Sequence, residues 1–258
     1  MRWLVTPPEG FVPVTIGRCV AVVRAEHEAD ARAMLADGSL YEAAARDLGA
    51  RRLDGRGIAY AIALPVSGTR AVVRHNRHGG LLAPVTRDLF LPPTRAPHEL
   101  QVSLRLAALG VRTPAVLMYD VQRAGVLLRR ADLVTREIPG GRDLASYLMP
   151  DVPDAGRAAA WHATRALVRA LNAAGARHHD LNVKNVLLAP AQAGDHLEAW
   201  VLDVDRVVFG QRNAASVRVG NAARLLRSAR KWRDERGAVL DESELAALGT
   251  AQDLTHIR

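Results

Sequence analysis

The sequence predicts an α+β protein of two lobes, with a strand-rich first half and a helical second half. Short runs in which apolar and polar residues alternate, separated by glycines, dominate residues 50–138, and this period is typical of half-buried strands. A Pro-Gly-Gly break follows at 139–141, and beyond it apolar residues recur at helical spacing, most clearly over 155–175. We therefore expect an antiparallel β-sheet N-lobe at 1–137 and a helical C-lobe at 138–258.

The N-lobe is expected to begin with an irregular lead-in. Prolines at 7, 8 and 13 interrupt the first part of residues 1–46, and proline removes a backbone donor and restricts the chain. Only the acidic, alanine-rich stretch at about 25–36 has helical character. This segment is therefore predicted to contribute one helix and no strand.

A three-stranded antiparallel meander is predicted from Ala50 onward. Glycines mark its turns at Gly55, Gly57 and Gly68, and the third strand contains TRAVVRH. A helix over 98–109 follows, because leucine and alanine recur there at helical spacing. The lobe is completed by two further strands, at 116–122 and 131–138.

The C-lobe is predicted from helical periodicity and from two short apolar runs. Asp143 lies in the first turn of a short helix, and the long helix at 155–175 ends at Gly175. The runs VLLA and AWVLDV fit the two strands of a small β-ribbon. Both tryptophans of this region, Trp161 and Trp200, are expected in the core. Two further helices are predicted, at 221–235 and 241–249.

The composition limits the class of protein. Of the 258 residues, 49% are hydrophobic and 24% charged, which excludes wholesale disorder. The net charge of +8 favours an anionic partner: a nucleic acid, a phosphorylated ligand or an anionic membrane surface. A single cysteine, Cys19, excludes an internal disulfide and a multi-cysteine zinc site. No apolar run reaches the roughly 18–20 residues that span a bilayer, so a soluble or surface-bound cytoplasmic protein is expected.

The segment HHDLNVKN at 178–185 carries the most chemical information. A loop that leaves the long helix presents Asp180, and Asn185 follows directly before an apolar strand; the next apolar strand ends at Asp203. Phosphoryl transfer needs one carboxylate near the acceptor hydroxyl, and oxygen ligands that hold Mg²⁺ across the phosphates. A β-ribbon would bring Asn185 and Asp203 to the same end of adjacent strands.

The two histidines of this segment are predicted to be structural. His178 is expected to hydrogen-bond the loop backbone and His179 to face solvent, because no Cys or Glu lies at ligand spacing beside them. A purely structural interpretation also stays open for Asp180 and Asn185, as turn formers after a helix.

These residues resemble known kinases. HHDLNVKN is similar to the catalytic loop of the protein-kinase superfamily, and Asp203-Val204-Asp205 to its metal-binding Asp-Phe-Gly. Three segments resemble the lipopolysaccharide kinase family more closely: the residue sequence of the catalytic loop, RHNRHGG at 74–80 and ADLVT at 131–135. Within that family, the members that phosphorylate 3-deoxy-D-manno-octulosonic acid (Kdo) are most similar.

The resemblance implies a protein-kinase-like fold, ATP and Mg²⁺ as cofactors, and a role for each matching residue. Asp180 is implied to be the catalytic base that orients the sugar hydroxyl, and Asn185 and Asp203 the ligands of Mg²⁺. The nucleotide-binding residues implied are Gly55 and Gly57 in a turn over the phosphates, Arg74 in place of the strand lysine, Glu99 as its ion-pair partner, and Arg136 to Ile138 as the hinge that meets adenine.

The implied reaction is ATP-dependent phosphorylation of a sugar hydroxyl, most specifically the 4-hydroxyl of Kdo on a lipid A precursor, in lipopolysaccharide inner-core biosynthesis. The implied partners are this Kdo-bearing lipid A precursor and the anionic surface of the inner membrane, to whose cytoplasmic side the protein is expected to bind peripherally. No nucleic acid and no obligate protein partner is expected. Two alternatives stay open: a kinase for heptose or another small-molecule hydroxyl, and a catalytically inactive kinase-like binding module.

Some positions depart from the family's pattern or allow a simpler interpretation. Arginine at position 74 replaces the lysine of other kinases, Asp205 replaces a glycine, and Asn76 and His78 stand where an aromatic residue and an arginine are expected. Glu99 can be a solvated helix residue, and the short Gly-x-Gly an ordinary hairpin turn. One basic run fits a solvated helix face or a surface that rests on anionic lipid: Arg224, Arg227, Arg230, Lys231 and Arg233.

Overall fold

A computed structural model describes most of the chain and divides it into two compact units. The described residues are 6–54, 57–76, 90–91, 94–125, 128–192, 194–241 and 243. The first unit consists of Met1–Leu104 and Pro114–Glu137, and the second of Arg105–Thr113 and Ile138–Arg258.

The first unit is built on a seven-stranded sheet in which all paired neighbours are antiparallel, in the order β1-β2-β6-β7-β5-β4-β3. This confirms the predicted α+β class and the antiparallel sheet. The strands are β1 (Phe11–Ile16), β2 (Cys19–Arg24), β3 (Arg51–Asp54), β4 (Ile58–Ala63), β5 (Arg70–His75), β6 (Val116–Ala124) and β7 (Leu128–Arg136), and the helices are α1 (Glu28–Leu35), α2 (Leu40–Arg46) and α3 (Arg95–Ala108).

The prediction of an irregular lead-in is wrong, because this segment also forms the β1–β2 hairpin and α2; the helix predicted at about 25–36 is confirmed as α1. Pro13 pairs with Val22 in the hairpin. Proline is tolerated there because β1 is an edge strand, where its missing N–H interrupts no ladder on the outer side. Helix α2 begins with a reciprocal cap: Ser39 Oγ accepts from the Glu42 N–H at 3.1 Å, and the Glu42 carboxylate accepts from the Ser39 N–H at 3.0 Å.

The other predicted elements of this unit are confirmed. The meander appears as β3, β4 and β5, and α3 begins at Arg95, three residues before the predicted start. The helix is followed by Gly110 at φ +74°, a backbone conformation that glycine adopts without strain. The two later strands are β6 and β7.

The sheet of the first unit is covered on both faces. On one face, Ala21, Ala71 and Val73 pack in a cluster with residues of α1 and α2. On the other face, Val22 and Leu133 pack with residues of α3. Because side chains alternate along a strand, β5 directs its odd-numbered residues towards α1 and α2 and its even-numbered residues towards α3. Arg74 and His75 therefore lie on opposite faces.

The second unit is mainly helical and contains two small sheets. Its helices are α4 (Leu144–Tyr147), α5 (Asp154–Ala173) and α6 (Ala215–Arg236). The strands β8 (Arg142–Asp143), β10 (Val186–Pro190) and β11 (Leu197–Val201) form a sheet in the order β11-β10-β8, while β9 (Ala176–His178) pairs with β12 (Val207–Phe209). Within the part of the chain that the structure describes, no helix is long and apolar enough to cross a bilayer.

The predicted β-ribbon is confirmed as β10 and β11, and Trp161 is buried as expected. Trp200 is only half-buried, so its placement in the core was wrong: it lies on β11 opposite Leu187, which is also half-buried. Strands β9 and β12 are missing from the prediction because three residues are too few to show a period. The predicted helix at 241–249 lies almost entirely outside the described residues.

Two carboxylates face each other inside the first unit. Asp120 on β6 pairs in register with Asp132 on β7, and neither is exposed to solvent. Gln122 Nε2 donates to Asp120 Oδ2 at 3.0 Å and to Asp132 Oδ2 at 3.2 Å, and the Tyr41 N–H donates to Asp132 Oδ2 at 2.9 Å. His75 Nδ1 contacts Asp132 Oδ1. Burial, and then the charge of Asp132, raises the pKa of Asp120 well above its usual range.

We expect Asp120→Asn to stabilise the protein increasingly as the pH rises. In the unfolded chain Asp120 ionises near pH 4, whereas the fold favours the protonated form. Wild-type stability therefore falls above pH 4 until the folded-state pKa is passed, by up to about 1.4 kcal/mol per pH unit. Asparagine does not ionise and can donate to Asp132 as the protonated carboxyl does. Thermal unfolding followed by circular dichroism from pH 4 to pH 8 measures the difference.

The exposed Asp151→Asn variant is the control for this prediction, and its melting temperature should follow wild type at every pH. A difference between Asp120→Asn and wild type that stays constant over the same range would contradict the assigned cause.

Candidate active site

The predicted catalytic loop is organised around the fully buried side chain of His178. Its ring Nε2 donates to the Leu202 carbonyl at 3.0 Å, and its ring Nδ1 accepts from the Asp180 N–H at 3.1 Å. These two bonds require a proton on Nε2 and none on Nδ1, so the ring is neutral. The expectation that His178 hydrogen-bonds the loop backbone is confirmed, and His179 is exposed, as predicted.

Burial also lowers the pKa of His178. A hydrogen bond to the Leu202 carbonyl, and the charges of Asp180, Asp203 and Asp205, act in the opposite direction and only partly offset burial. The neutral form that the geometry requires is thus also the form that burial favours.

A buried asparagine on α6 anchors the start of this loop. Asn221 Oδ1 accepts from the His178 N–H at 2.9 Å, while its Nδ2 donates at 2.9 Å to both the Ala176 carbonyl and Asn172 Oδ1. All three side-chain bonds of this fully buried residue tie β9 and the end of α5 to α6. Sequence reasoning missed Asn221. The sequence signal for Asn221 was a polar residue at a position that, by the helical period of α6, faces the core.

Asparagine side chains fix the rest of the loop. The Asp180 carbonyl accepts from Asn182 Nδ2 and from Asn185 Nδ2, each at 2.9 Å. Asn182 Oδ1 accepts in turn from the backbone N–H groups of Lys184, at 2.9 Å, and Asn185, at 3.1 Å. Because Nδ2 of Asn185 is engaged with Asp180, the atom that Asn185 presents for a cation is Oδ1.

The segment that carries Asp203 is bonded to the same loop. The Leu202 N–H donates to the Asn185 carbonyl at 2.9 Å, and the Leu202 carbonyl accepts from His178. Asp203 itself has φ 53° and ψ 50°, a left-handed conformation that is uncommon outside glycine, although Asp and Asn adopt it more often than other residues. The hydrogen bonds therefore bring Asp180, Asn185 and Asp203 together, as the sequence pattern predicted.

The oxygen atoms of this site suit a hard divalent cation. Asn185 contributes an amide oxygen, and Asp203 and Asp205 contribute carboxylates, which are the donors that Mg²⁺ prefers. Among the residues that the structure describes, no three or more His, Cys, Asp or Glu side chains form a cluster that could hold a metal. Mg²⁺ prefers an octahedral shell of about six oxygen ligands, so a cation held by Asn185 and Asp203 would take the remaining ligands from phosphates and water.

The first unit contains the second group of predicted residues. Arg74 on β5 donates through Nη2 to Oε1 of Glu99 on α3, and the Glu99 side chain is only 5% exposed. The interpretation of Glu99 as a solvated helix residue is therefore wrong. A buried carboxylate fixes the guanidinium more firmly than an exposed one, because both charges are partly removed from water and must be paired.

The other predicted nucleotide-binding residues are placed as follows. Gly57 lies at the β3–β4 turn, where Asp54 pairs with Ile58; Gly55 lies outside the described residues, as do residues 77–80 of RHNRHGG. The Arg136 N–H donates to the Ala115 carbonyl at 2.8 Å and the Ile138 carbonyl accepts from the Gly141 N–H at 3.1 Å.

Sequence reasoning also missed the surroundings of Lys184. Its Nζ pairs with Asp143 Oδ2 and lies 5.8 Å from the centre of the Trp232 ring, within the range of a cation–π contact. Asp143 Oδ1 accepts from the Ser146 N–H at 2.9 Å and so caps α4. The signal in the sequence was that Lys184 is one of only two lysines, and lies between Asp180 and Asn185.

Comparison with known proteins gives consistent results. Residues 48–244 match the model of the lipopolysaccharide kinase (Kdo/WaaP) family. The chain is 33% identical over 254 residues to a 3-deoxy-D-manno-octulosonic acid kinase of Stenotrophomonas maltophilia R551-3, covering 95% of each chain. It is 35% identical over 206 residues to the protein of the same name from strain K279a, covering 78% of this chain and 77% of that one.

Among solved structures, the chain is similar to WaaP in complex with acyl carrier protein. The TM-score is 0.50 at 18% sequence identity, and the match covers 86% of this chain and 94% of that one. This likeness concerns the fold alone, and it confirms the predicted kinase-like fold.

We expect His178→Leu to destabilise the protein, because it leaves the partly buried Leu202 carbonyl and Asp180 N–H without their side-chain partner. Each unpaired group costs about 1–3 kcal/mol, so the free energy of unfolding in urea should fall by about 2–6 kcal/mol. The adjacent, exposed His179→Leu is the matched control and should unfold like wild type. Equal stability of both variants would show that the ring of His178 does not hold the loop.

Proposed function

The chain belongs to the lipopolysaccharide kinase (Kdo/WaaP) family, and from this premise we propose that it transfers the γ-phosphoryl group of ATP to the 4-hydroxyl of Kdo on a lipid A precursor. It is a phosphotransferase that acts on a sugar in lipopolysaccharide core biosynthesis. The observation that carries the proposed phosphoryl transfer is the hydrogen-bonded arrangement of Asp180, Asn185 and Asp203, because these groups match the demands of transfer to an alcohol. The choice of Kdo as acceptor is supported by the relatives named 3-deoxy-D-manno-octulosonic acid kinase.

Asp180 is the base in this proposal. Its N–H and its carbonyl are both held within the loop, by His178, Asn182 and Asn185, so the origin of its side chain is fixed. Its half-buried carboxylate would accept the proton of the acceptor hydroxyl as the new bond from that oxygen to the γ-phosphorus forms. The bond between the γ-phosphorus and the β–γ bridging oxygen would break in the same transfer, and ADP would leave. Such positioning reduces the entropy that the reacting groups must lose.

Asn185 and Asp203 are the residues that would hold Mg²⁺, through Oδ1 of the amide and the carboxylate. When bound, the cation neutralises charge on the nucleotide phosphates. Asp205 lies two residues beyond Asp203 and adds a second carboxylate to the same short segment.

In the first unit, Arg74 would contact the nucleotide phosphates while Glu99 holds its guanidinium. Arginine stays charged and presents two parallel donors, so it can replace the strand lysine as a phosphate contact. Gly55 and Gly57 would form the turn over the phosphates. For the adenine hinge we assign the Ile138 N–H as donor, because the Arg136 N–H is already bonded to Ala115.

We assign the protein to the cytoplasmic side of the inner membrane, as a peripheral protein. The acceptor is a lipid-linked sugar in this proposal, and the net charge of +8 favours an anionic surface. Each Lys or Arg near such a surface contributes about 1 kcal/mol. The exposed face of α6 is the basic surface that we select for this contact: Arg224, Arg227, Arg230, Lys231 and Arg233.

We expect Asp180→Asn to lower phosphoryl transfer by about 10²–10⁴-fold while leaving ATP binding within about twofold of wild type. The assay uses labelled ATP, a Kdo-bearing lipid A precursor and a panel of alternative acceptors that includes heptose, with NMR to locate the phosphate on the product. Asp195→Asn, in the exposed β10–β11 loop, is the control and should retain full activity.

Several outcomes of this assay discriminate between the proposals. Transfer to Kdo at another hydroxyl would disprove the 4-hydroxyl assignment but would still show that the protein phosphorylates Kdo. Transfer to heptose alone would show that heptose, and not Kdo, is the acceptor. Undiminished transfer by Asp180→Asn would remove the proposed base.

We expect the double variant Arg227→Glu/Arg230→Glu to lose binding to anionic vesicles. Wild type should co-sediment with phosphatidylglycerol vesicles, less at high salt, and not with phosphatidylcholine vesicles. Reversal of two charges removes a net charge of about four from the selected face, so the bound fraction should fall at least about tenfold. The matched control, Arg51→Glu/Arg52→Glu on β3, should bind like wild type if α6 is the surface used.

A further inference from the structure

A second polar side chain lies beside Arg74 and is buried with an unused donor. Asn76 follows β5 two residues after Arg74, so both side chains lie on the face of the sheet that carries α3 and Glu99. Asn76 is 4% exposed, and its N–H donates to the Ala131 carbonyl at 2.9 Å. Its Oδ1 accepts from Arg74 Nη1 at 3.5 Å. Its Nδ2 is buried and has no hydrogen-bond partner.

The chemistry of Arg74 identifies which atom of the Asn76 amide is the oxygen and which is the nitrogen. A guanidinium only donates hydrogen bonds, so the atom of Asn76 that faces Arg74 must be the oxygen. The amide nitrogen is therefore not engaged by the guanidinium. This assignment does not depend on distinguishing oxygen from nitrogen in the side chain itself.

A buried donor without an acceptor is rare in folded proteins, because it has lost its hydrogen bonds to water and has formed none in their place. Replacing Asn76 with an apolar side chain would remove this cost, and the family resemblance indeed leads to an aromatic residue at this position. That this chain has an amide instead, next to the arginine assigned to the phosphates, points to a ligand that supplies the acceptor.

We infer that Asn76 is a further nucleotide-binding residue, whose Nδ2 donates to an oxygen of the polyphosphate group that Arg74 contacts. Phosphate oxygens are acceptors only, and they carry the charge that draws them to a guanidinium. Arg74, held by Glu99 on one side and by Asn76 Oδ1 on the other, and Nδ2 of Asn76 would together present donors to one anionic group. This inference rests on the proposed function, because it requires that a nucleotide binds.

The test compares ATP with adenosine. We expect Asn76→Leu, which is similar in size and cannot hydrogen-bond, to bind ATP with Mg²⁺ at least about tenfold more weakly than wild type, measured by isothermal titration calorimetry. Adenosine lacks phosphates, so its affinity should not change. The melting temperature without ligand should stay equal or rise, because the unpaired donor is gone.

A second substitution separates the donor from the contact with Arg74. Asn76→Asp keeps an acceptor for the guanidinium but has no N–H, and we expect it to weaken ATP binding at least as much as leucine does. Ser103→Ala, which removes a buried hydroxyl from α3, is the control and should bind ATP like wild type.

The outcomes keep this inference distinct from the proposed function. Absence of ATP binding by wild type would disprove the proposed function. If wild type binds ATP and Asn76→Leu binds it equally well, only the role of Asn76 is overturned, and water then satisfies its Nδ2. Equal loss of ATP and adenosine affinity would overturn the role as well, because it would indicate a general distortion of the first unit.

Discussion

The candidate active site depends on two hydrogen bonds made by the neutral, buried ring of His178. The ring joins the loop that carries Asp180 to the segment that carries Asp203, through one bond to the Asp180 N–H and one to the Leu202 carbonyl. A protonated ring could not accept from Asp180, so the loop requires the neutral form. Three nearby carboxylates favour the charged form, and burial outweighs them. Burial of His178 therefore helps to hold the candidate site together, because it keeps the ring neutral.

The alternation of β5 assigns two tasks to adjacent residues. Arg74 points to the face of α3, where Glu99 and Asn76 hold its guanidinium, while His75 points to the opposite face and contacts Asp132. The two segments that carry the family resemblance therefore meet through the buried contact between His75 and Asp132 on one side of the strand, while Arg74 lies on the other side. A lysine at position 74 would have to donate to both acceptors from one nitrogen, whereas the guanidinium uses two separate nitrogens.

Periodicity and motif spacing were sufficient to predict the sheet meander, α3, the β-ribbon and the meeting of Asp180, Asn185 and Asp203. They failed where one residue is compatible with two structures. Pro13 is typical of an irregular segment, but it is also tolerated in an edge strand. They also failed where tertiary contacts alone define the residue. Asn221 acquires its role from bonds to β9 and α5, and the pairing of Asp120 with Asp132 follows from strand register. Neither is encoded in local sequence.

The backbone explains why Asp205 can stand where kinases usually have glycine. A positive φ favours glycine, and in the segment Asp203–Arg206 the positive φ falls on Asp203 itself. The following residues form a short 3-10 turn with Asp205 in an ordinary conformation, so a side chain costs nothing there. The strain that glycine would relieve elsewhere is instead placed on the residue assigned to the cation. Asp205 can then add a carboxylate beside Asp203 without altering the turn that positions both.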